Sequence, residues 1–270
     1  MASHALIAEG PILLDLEDDG VARLRLNRPE SSNGMTAALL KALYEAVLRI
    51  QSDDRARCVL LSGEGKHFCA GGDVKDFASH GEALPLYLRE ATAWLQAASG
   101  ALIRLPVPVV AVVQGFAAGG GGLGIVCAVD LVIAAESARF MSAATRVAMA
   151  PDAGTSVTLS RILGHRRAME LVLTDRVLDA HEALELGLVT RVVPDEQLGD
   201  EGLALARQLA GGATRALGAT KRLMWDALGA SVEDCLPDEA RTVSELSGTA
   251  DAREGLAAVI ERRPPRFSGR

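Results

Sequence analysis

Twice in this chain a short apolar run suited to a β-strand gives way to glycines and then to a segment suited to a helix. Cys58-Val59-Leu60-Leu61 leads into Phe68-Cys69-Ala70-Gly71-Gly72-Asp73, and Val109-Val110-Ala111-Val112-Val113 leads into Gly119-Gly120-Gly121-Gly122. The repetition points to an α/β architecture in which strand ends and helix starts meet. Small residues at such a junction let a ligand approach the backbone and leave the first helical N–H groups without partners. Two such N–H groups converging on one oxygen form an oxyanion hole, reinforced by the helix dipole behind it. A single glycine run is most simply a tight turn. Two, each at the end of a strand, point to a site.

Strand-like and helix-like segments alternate over the first two-thirds of the chain. Ile12–Leu16 and Val21–Leu26, joined by Asp18-Asp19-Gly20, read as a hairpin. In Thr36–Ile50 the residues Leu39, Leu43, Val47 and Ile50 recur at helical spacing, so one face is expected to be buried. A further helix is expected around Tyr87–Ile103, a helix ending before Asp130, and short strands at Leu131–Ala134 and Arg139–Met141. From Thr155 the pattern is mainly helical. Asp179-Ala180-His181-Glu182 has the spacing of a capping box, with Gly187 able to end that helix, and Asp251-Ala252-Arg253-Glu254 repeats the device before the last helix. Val189–Val193, stopped by Pro194, is the one late strand. The rhythm suggests ββα units, although periodicity alone does not separate a spiral of them from a doubly wound sheet.

Composition bounds the function. A chain of 270 residues can bury one large domain, or a domain with a helical appendage. Hydrophobic residues make up 49% and aromatics only 3%, so the core must rest on Ala, Val, Leu and Ile. A net charge of −7, with no basic run interleaved with aromatics, argues against a nucleic-acid partner. Cys58, Cys69, Cys127 and Cys235 lack metal-ligand spacing, and three of them lie in apolar or glycine-rich runs, as reduced buried thiols do. No metal site is expected. Met1-Ala2-Ser3-His4 does not open a basic region followed by an apolar stretch, and the apolar residues 115–129 are short for a membrane span. A soluble, cytoplasmic protein without a membrane partner is the expectation.

At the two glycine segments the chain resembles the enoyl-CoA hydratase/isomerase (crotonase) superfamily, and the resemblance runs from Val21 to the tail Arg262-Arg263-Pro264-Pro265-Arg266-Phe267. It implies a spiral of ββα units as the core over residues 1–200 and a C-terminal helical region, 201–270, that packs against neighbouring subunits in a homotrimer or dimer of trimers. It implies an acyl-CoA thioester substrate, with coenzyme A as part of that substrate and no separate cofactor. The thioester oxygen would sit between two backbone N–H groups. The resemblance puts the first on Ala70, with Gly71, Gly72 and Asp73 beside the substrate. The segment Gln114-Gly115-Phe116-Ala117-Ala118-Gly119-Gly120-Gly121-Gly122-Leu123 has one glycine more than the family pattern. Counting back from Asp130 puts the second donor on Gly121, and counting forward from Gly115 puts it on Gly120. Gly121 is preferred, because Leu123 and the following helix then keep the family register.

Enolate chemistry also needs a proton carrier. Hydratases of the family use two glutamates, whose places fall here on Ala144 and on Gly124 (Leu123 in the other register). Neither is acidic, so a standard hydratase is poorly supported and Ala144 is left as a substrate-lining position. Ala150-Pro151-Asp152-Ala153-Gly154-Thr155 resembles the ring-1,2-epoxyphenylacetyl-CoA isomerase group and some Δ3,Δ2-enoyl-CoA isomerases, in which an aspartate after this proline is the single acid/base. One carboxylate suits isomerisation, because the group that removes a proton can return it elsewhere. The same residues also suit a β-turn with a helix-capping Asp. Residues 155–174 resemble 4-chlorobenzoyl-CoA dehalogenase, but Gln96 stands at that enzyme's histidine position, Ala144 at its tryptophan, and Trp94 is out of register. An enoyl-CoA isomerase using Asp152 is therefore expected. The alternatives are a hydratase with an unrecognised base, a dehalogenase-like enzyme and a catalytically weak acyl-CoA binder. Asp73 is read as a helix cap, His165 as a helix start and His181 as part of a cap. His67, Lys66, Arg28 and Arg266 are weaker candidates for the CoA entrance or its phosphates.

Overall fold

Leu39, Leu43, Val47 and Ile50 are buried along one face of α1 (Ala37–Gln51) in the computed structural model, which describes residues 2–269. Thr36 starts this helix by accepting the Leu39 N–H at 3.2 Å. The expected hairpin is β2 (Ile12–Glu17) and β3 (Val21–Leu26), paired antiparallel with Leu14 opposite Leu24. Outside it lies β1 (Ser3–Ile7), a mostly exposed edge strand whose sequence gives no alternation to read.

Parallel strands extend the sheet: β4 (Cys58–Gly63), β5 (Val109–Val113), β7 (Leu131–Ala135) and β10 (Arg191–Val193), giving the order β1-β2-β3-β4-β5-β7-β10. A smaller sheet holds β6 (Phe116–Ala118), β8 (Arg139–Met141) and β9 (Leu178–Asp179). Each pass of the chain touches both layers. After β4 comes Cys69, bridged in parallel to Ala117; after β5 comes β6; after β7 comes β8. That is the ββα spiral, with a strand in the large sheet, a strand or bridge in the small one, and a helical segment before the next pass.

The run Val109–Val113 is apolar throughout because both of its faces are covered. Val109, Ala111 and Val113 belong to the main core with α1 and α3 (Leu84–Arg104), whereas Val110 and Val112 belong to a second core closed by Leu205, Ala206 and Ala210 of α7 (Leu198–Ala210). The boundary expected at residue 200 therefore falls inside α7. This helix is part of the core.

The remaining helices are α2 (Val74–Ser79), α4 (Thr155–Leu163), α5 (His165–Thr174), α6 (Ala180–Glu185), α8 (Thr214–Asp226), α9 (Val232–Ser247) and α10 (Ala250–Glu261). Asp179 caps α6 by accepting the Glu182 N–H at 2.9 Å, and Gly187 follows its end with φ +78. The cap expected at Asp251 lies elsewhere. Thr249 caps α10, accepting from Ala252 at 3.0 Å, while buried Asp251 turns to the tail and accepts from Ser268 N at 2.7 Å and Gly269 N at 2.8 Å. The late strand is also shorter than Val189–Val193, because Leu188 and Val189 donate to the Ala183 carbonyl at the end of α6. One buried ion pair pins α8 to the core. Lys221 Nζ lies 2.9 Å from Asp130, which also accepts from Val109 N at 2.8 Å and Trp225 Nε1 at 3.0 Å. No helix among the described residues is long and apolar enough to cross a membrane.

Candidate active site

The spiral lays the two glycine segments side by side. Phe68 N–H donates to the Gln114 carbonyl at 2.9 Å, Cys69 N–H to Phe116 at 3.0 Å, and Ala118 N–H to Cys69 at 2.9 Å. Gly71 has φ +104, and a Cβ there would lie 3.3 Å from the Ala118 carbonyl oxygen. On its other side the first segment bridges to Met35, whose N–H donates to Gly71 O at 2.9 Å and whose carbonyl accepts from Asp73 at 3.0 Å. In such a bridge successive N–H groups point to opposite sides. Asp73 N–H is used, and Gly72 N–H, turned the other way, has no partner among the described residues.

This corrects the expectation for Ala70. Its N–H is donated to the Ser32 carbonyl at 3.0 Å, so it is not free to meet a substrate oxygen. Ser32 is held there by a turn in which buried Asn33 donates to the Glu64 and His67 carbonyls at 2.9 and 2.8 Å. Asp73 is the cap it was read as, accepting from Asp76 N at 3.2 Å and pairing with Arg28 at 3.0 Å; with its carboxylate so engaged it is absent from the cavity wall, which corrects its expected place beside the substrate. That pair gives Arg28 a structural partner. His67 likewise accepts the Phe116 N–H on Nδ1 at 3.1 Å and is absent from the cavity wall.

The surplus glycine is taken up by a π-helical turn, Gly120–Gly124, entered from Gly119 at φ +60. A turn with one extra residue lets both counts hold, the forward one before it and the backward one after it. The N–H groups of Gly120 and Gly121 have no partners among the described residues. Their surroundings differ. A Cβ on Gly120 would overlap the Asp152 carboxylate and lie 2.9 Å from Leu95 Cδ2, whereas one on Gly121 would overlap Met35 and lie 3.2 Å from Cys69 Sγ. A Cβ on Gly119 would lie 4.0 Å from Gly72 N, so the start of this turn adjoins the open Gly72 N–H.

These backbone groups line one wall of a cavity of about 620 Å³ with Ala70, Gly71, Ala144 and Asp152. Of its lining residues only Asp152 and Arg146 are charged. The Asp152 backbone is fixed by Thr155, whose N–H and hydroxyl reach its carbonyl at 2.9 and 2.6 Å. Its carboxylate neither caps a helix nor meets a cation. Gly154 is the N-cap of α4, and no ion pair involving Asp152 forms among the described residues. Burial against apolar neighbours pushes the carboxyl up from its ordinary value, with only its own backbone N–H opposing. The adjoining Ala153 is buried and has φ +54, an uncommon backbone for alanine.

The two places where hydratases carry glutamate hold no acid. Ala144 presents a methyl to the cavity, and a Cβ on buried Gly124 would lie 2.6 Å from Ala153 Cβ. Gln96 is exposed and Trp94 packs on Tyr44 at 6.0 Å, both away from the cavity. Burial pushes the Cys69 thiol up to about 12, so it stays protonated beneath the glycines. Three contributors escaped the sequence reading: Met35, Leu95 and Phe77, whose ring lies where a Gly72 side chain would stand. Only the helical spacing of Leu95 carried a local signal.

The sequence profile of the enoyl-CoA hydratase/isomerase family matches residues 17–270. The chain belongs to that family. A Rhodobacter capsulatus relative named "Probable enoyl-CoA hydratase" is 39% identical over 93% of this chain and 96% of its own length. The 1,2-epoxyphenylacetyl-CoA isomerase of Escherichia coli is 37% identical over 96% and 98%. The crystal structure of the Bacillus anthracis enoyl-CoA hydratase superimposes with a TM-score of 0.91 at 33% identity, covering 97% of this chain and all of that one. The protein is thus a crotonase-superfamily acyl-CoA enzyme.

Proposed function

We propose that this enzyme is an enoyl-CoA isomerase, shifting a double bond or isomerising a strained ring next to the thioester, with Asp152 as its single acid/base. The observation that carries this reading is the Asp152 carboxylate, unpaired and desolvated, lying against Gly120 in a cavity with no second acid. In a 3-enoyl thioester the carboxylate takes a proton from the carbon next to the carbonyl. Charge passes to the thioester oxygen, and the carboxyl returns the proton two carbons further along. Gly72 and Gly120 are the proposed N–H donors to that oxygen, in place of Ala70 and Gly121. Gly72 is open where Ala70 is not, and Gly120 adjoins both Gly72 and the carboxylate.

Hydration needs a group to activate water and another to protonate carbon, and this cavity offers one carboxylate. The test is direct. Conversion of a 3-enoyl-CoA to its 2-enoyl isomer is expected, with water addition to the 2-enoyl-CoA at least about a hundredfold slower, the low end of what a second positioned acid/base contributes. The reverse order of rates would overturn the reading. Gly72→Pro removes one donor and is expected to lower turnover by about 10²–10³-fold. A folded variant with a normal rate would dismiss that donor.

The helices beyond α7 are proposed to hold a homotrimer or dimer of trimers together. On α9 and α10 the side chains Val243, Val259 and Ile260 are 66%, 78% and 80% exposed, which suits burial against another subunit.

A further inference from the structure

We propose that Tyr87 is a positioning residue for the oxyanion hole: its hydroxyl ties together the two segments that flank Gly72 and so fixes the direction of that N–H. The inference rests on the reading above in taking Gly72 as a donor to the thioester oxygen.

Gly72 lies between two supports. On one side is Met35, joined to the glycine segment through Gly71 and Asp73. Met35 leads through the cap Thr36 into α1, and the first N–H of that helix, on Ala37, donates to the Tyr87 hydroxyl at 3.0 Å. On the other side is Phe77 of α2, whose ring fills the space a Gly72 side chain would need. The Tyr87 hydroxyl donates into this helix as well, to Asp76 Oδ2, one residue before Phe77. A single oxygen carried by α3 therefore holds the start of α1 and the first turn of α2 together, with Gly72 between them. It accepts one of the N–H groups that a helix start otherwise leaves to water.

The ring of Tyr87 adds to the same support. It meets Phe77 edge-on, with centroids 6.1 Å apart, and stacks on His80 at 3.7 Å. Phe77 is thus wedged between Tyr87 and Gly72. Burial and the adjoining Asp76 carboxylate push the Tyr87 hydroxyl up to about 12, so it remains an O–H donor at neutral pH. Tyr87 is absent from the cavity wall, and its effect reaches the substrate only through the backbone it holds. Direction matters there, because a hydrogen bond weakens steeply as its angle closes, and a misplacement of about 1 Å can cost about a hundredfold in rate.

Tyr87→Phe keeps the ring and both aromatic contacts and removes only the tie. Turnover of a 3-enoyl-CoA is expected to fall by about ten- to a hundredfold in kcat, with affinity for octanoyl-CoA retained. Octanoyl-CoA binds without a double bond to shift, so its isotope-labelled thioester carbonyl can be followed by infrared difference spectroscopy. Donors aimed at that oxygen lower its stretching frequency, and in Tyr87→Phe the band is expected to move back towards that of the free thioester. Asp76→Ala breaks the same tie from α2 and is expected to repeat both changes. A merely structural hydroxyl predicts a lower melting temperature with kcat and the carbonyl band unchanged, and that result overturns the proposal, as does a change confined to KM. Gly72→Pro separates this inference from the reading beneath it. If Gly72→Pro shifts the band and Tyr87→Phe does not, Gly72 is a donor that Tyr87 does not position. A band unmoved by Gly72→Pro overturns the donor assignment itself.

Discussion

Asp152→Asn separates chemistry from architecture. The substitution keeps the shape of the side chain and removes its ability to accept a proton at neutral pH. The backbone hydrogen bonds that shape the turn come from the Asp152 carbonyl and survive the change. Turnover of a 3-enoyl-CoA is expected to fall by about 10²–10⁴-fold, the contribution of a positioned acid/base, with acyl-CoA affinity retained. Stability should move the other way. The carboxyl is raised in the folded state by desolvation, so the stability it contributes is full below its ordinary value of 3.8 and is lost as pH rises through its folded value. At pH 7 the wild type carries a desolvated charge that the Asn variant lacks. The variant is therefore expected to melt at the same temperature or higher at neutral pH, the two curves meeting in acid. The wild-type kcat/KM should rise with pH through a limb above 3.8 that the variant's residual rate does not show. Stopped-time mass spectrometry of the enoyl products and calorimetric melting at several pH values measure both sides. Near-normal turnover would falsify the catalytic assignment, and a lowered melting temperature accompanying the lost activity would return Asp152 to a turn-forming role.

Gly120→Ala brings a methyl carbon to 2.7 Å from Asp152 Cγ and 2.9 Å from Leu95 Cδ2, displacing the carboxylate. A loss of turnover of about a hundredfold or more is expected, with an overpacking cost of about 1–3 kcal/mol in urea unfolding. Lys221→Met strands the largely buried Asp130 carboxylate and should destabilise by about 3–5 kcal/mol by the same measurement. A change below about 1 kcal/mol would mean that Val109 and Trp225 satisfy Asp130 alone. Light scattering at micromolar concentration should give a trimer or hexamer, and Ile260→Lys should shift it to smaller species; a wild-type monomer ends the assembly proposal.

Much of this architecture could be read locally. The face of α1 follows from four residues at helical spacing, and the unbroken apolar run of β5 follows from burial on both sides. Asp152 stood out because it follows a proline in a segment with family resemblance and is acidic where its neighbours are small. What escaped depended on distant partners. Whether Ala70 or Gly72 keeps a free N–H is decided by Ser32 and Met35, more than thirty residues earlier in the chain. Thr249 and Asp251 are both capping residues by type, and the tail at Ser268 and Gly269 determines which of them caps. The register of the second glycine segment stayed ambiguous because both counts assumed a turn of ordinary width.

The wide turn at Gly120–Gly124 also acts as a frameshift in three dimensions. One added residue rotates everything after it by about 100° relative to an uninterrupted helix. Leu123 consequently faces the core at 1% exposure, and Gly124 abuts Ala153. A glutamate introduced at either place would meet packed neighbours: Leu123 has almost no exposed surface, and a Cβ on Gly124 would already stand 2.6 Å from Ala153 Cβ and 3.1 Å from Thr155 Oγ1. Of the two positions where hydratases carry glutamate, only Ala144 faces the cavity. One acid is therefore a single substitution away from this chain, and the other is shut out by the packing behind the wide turn.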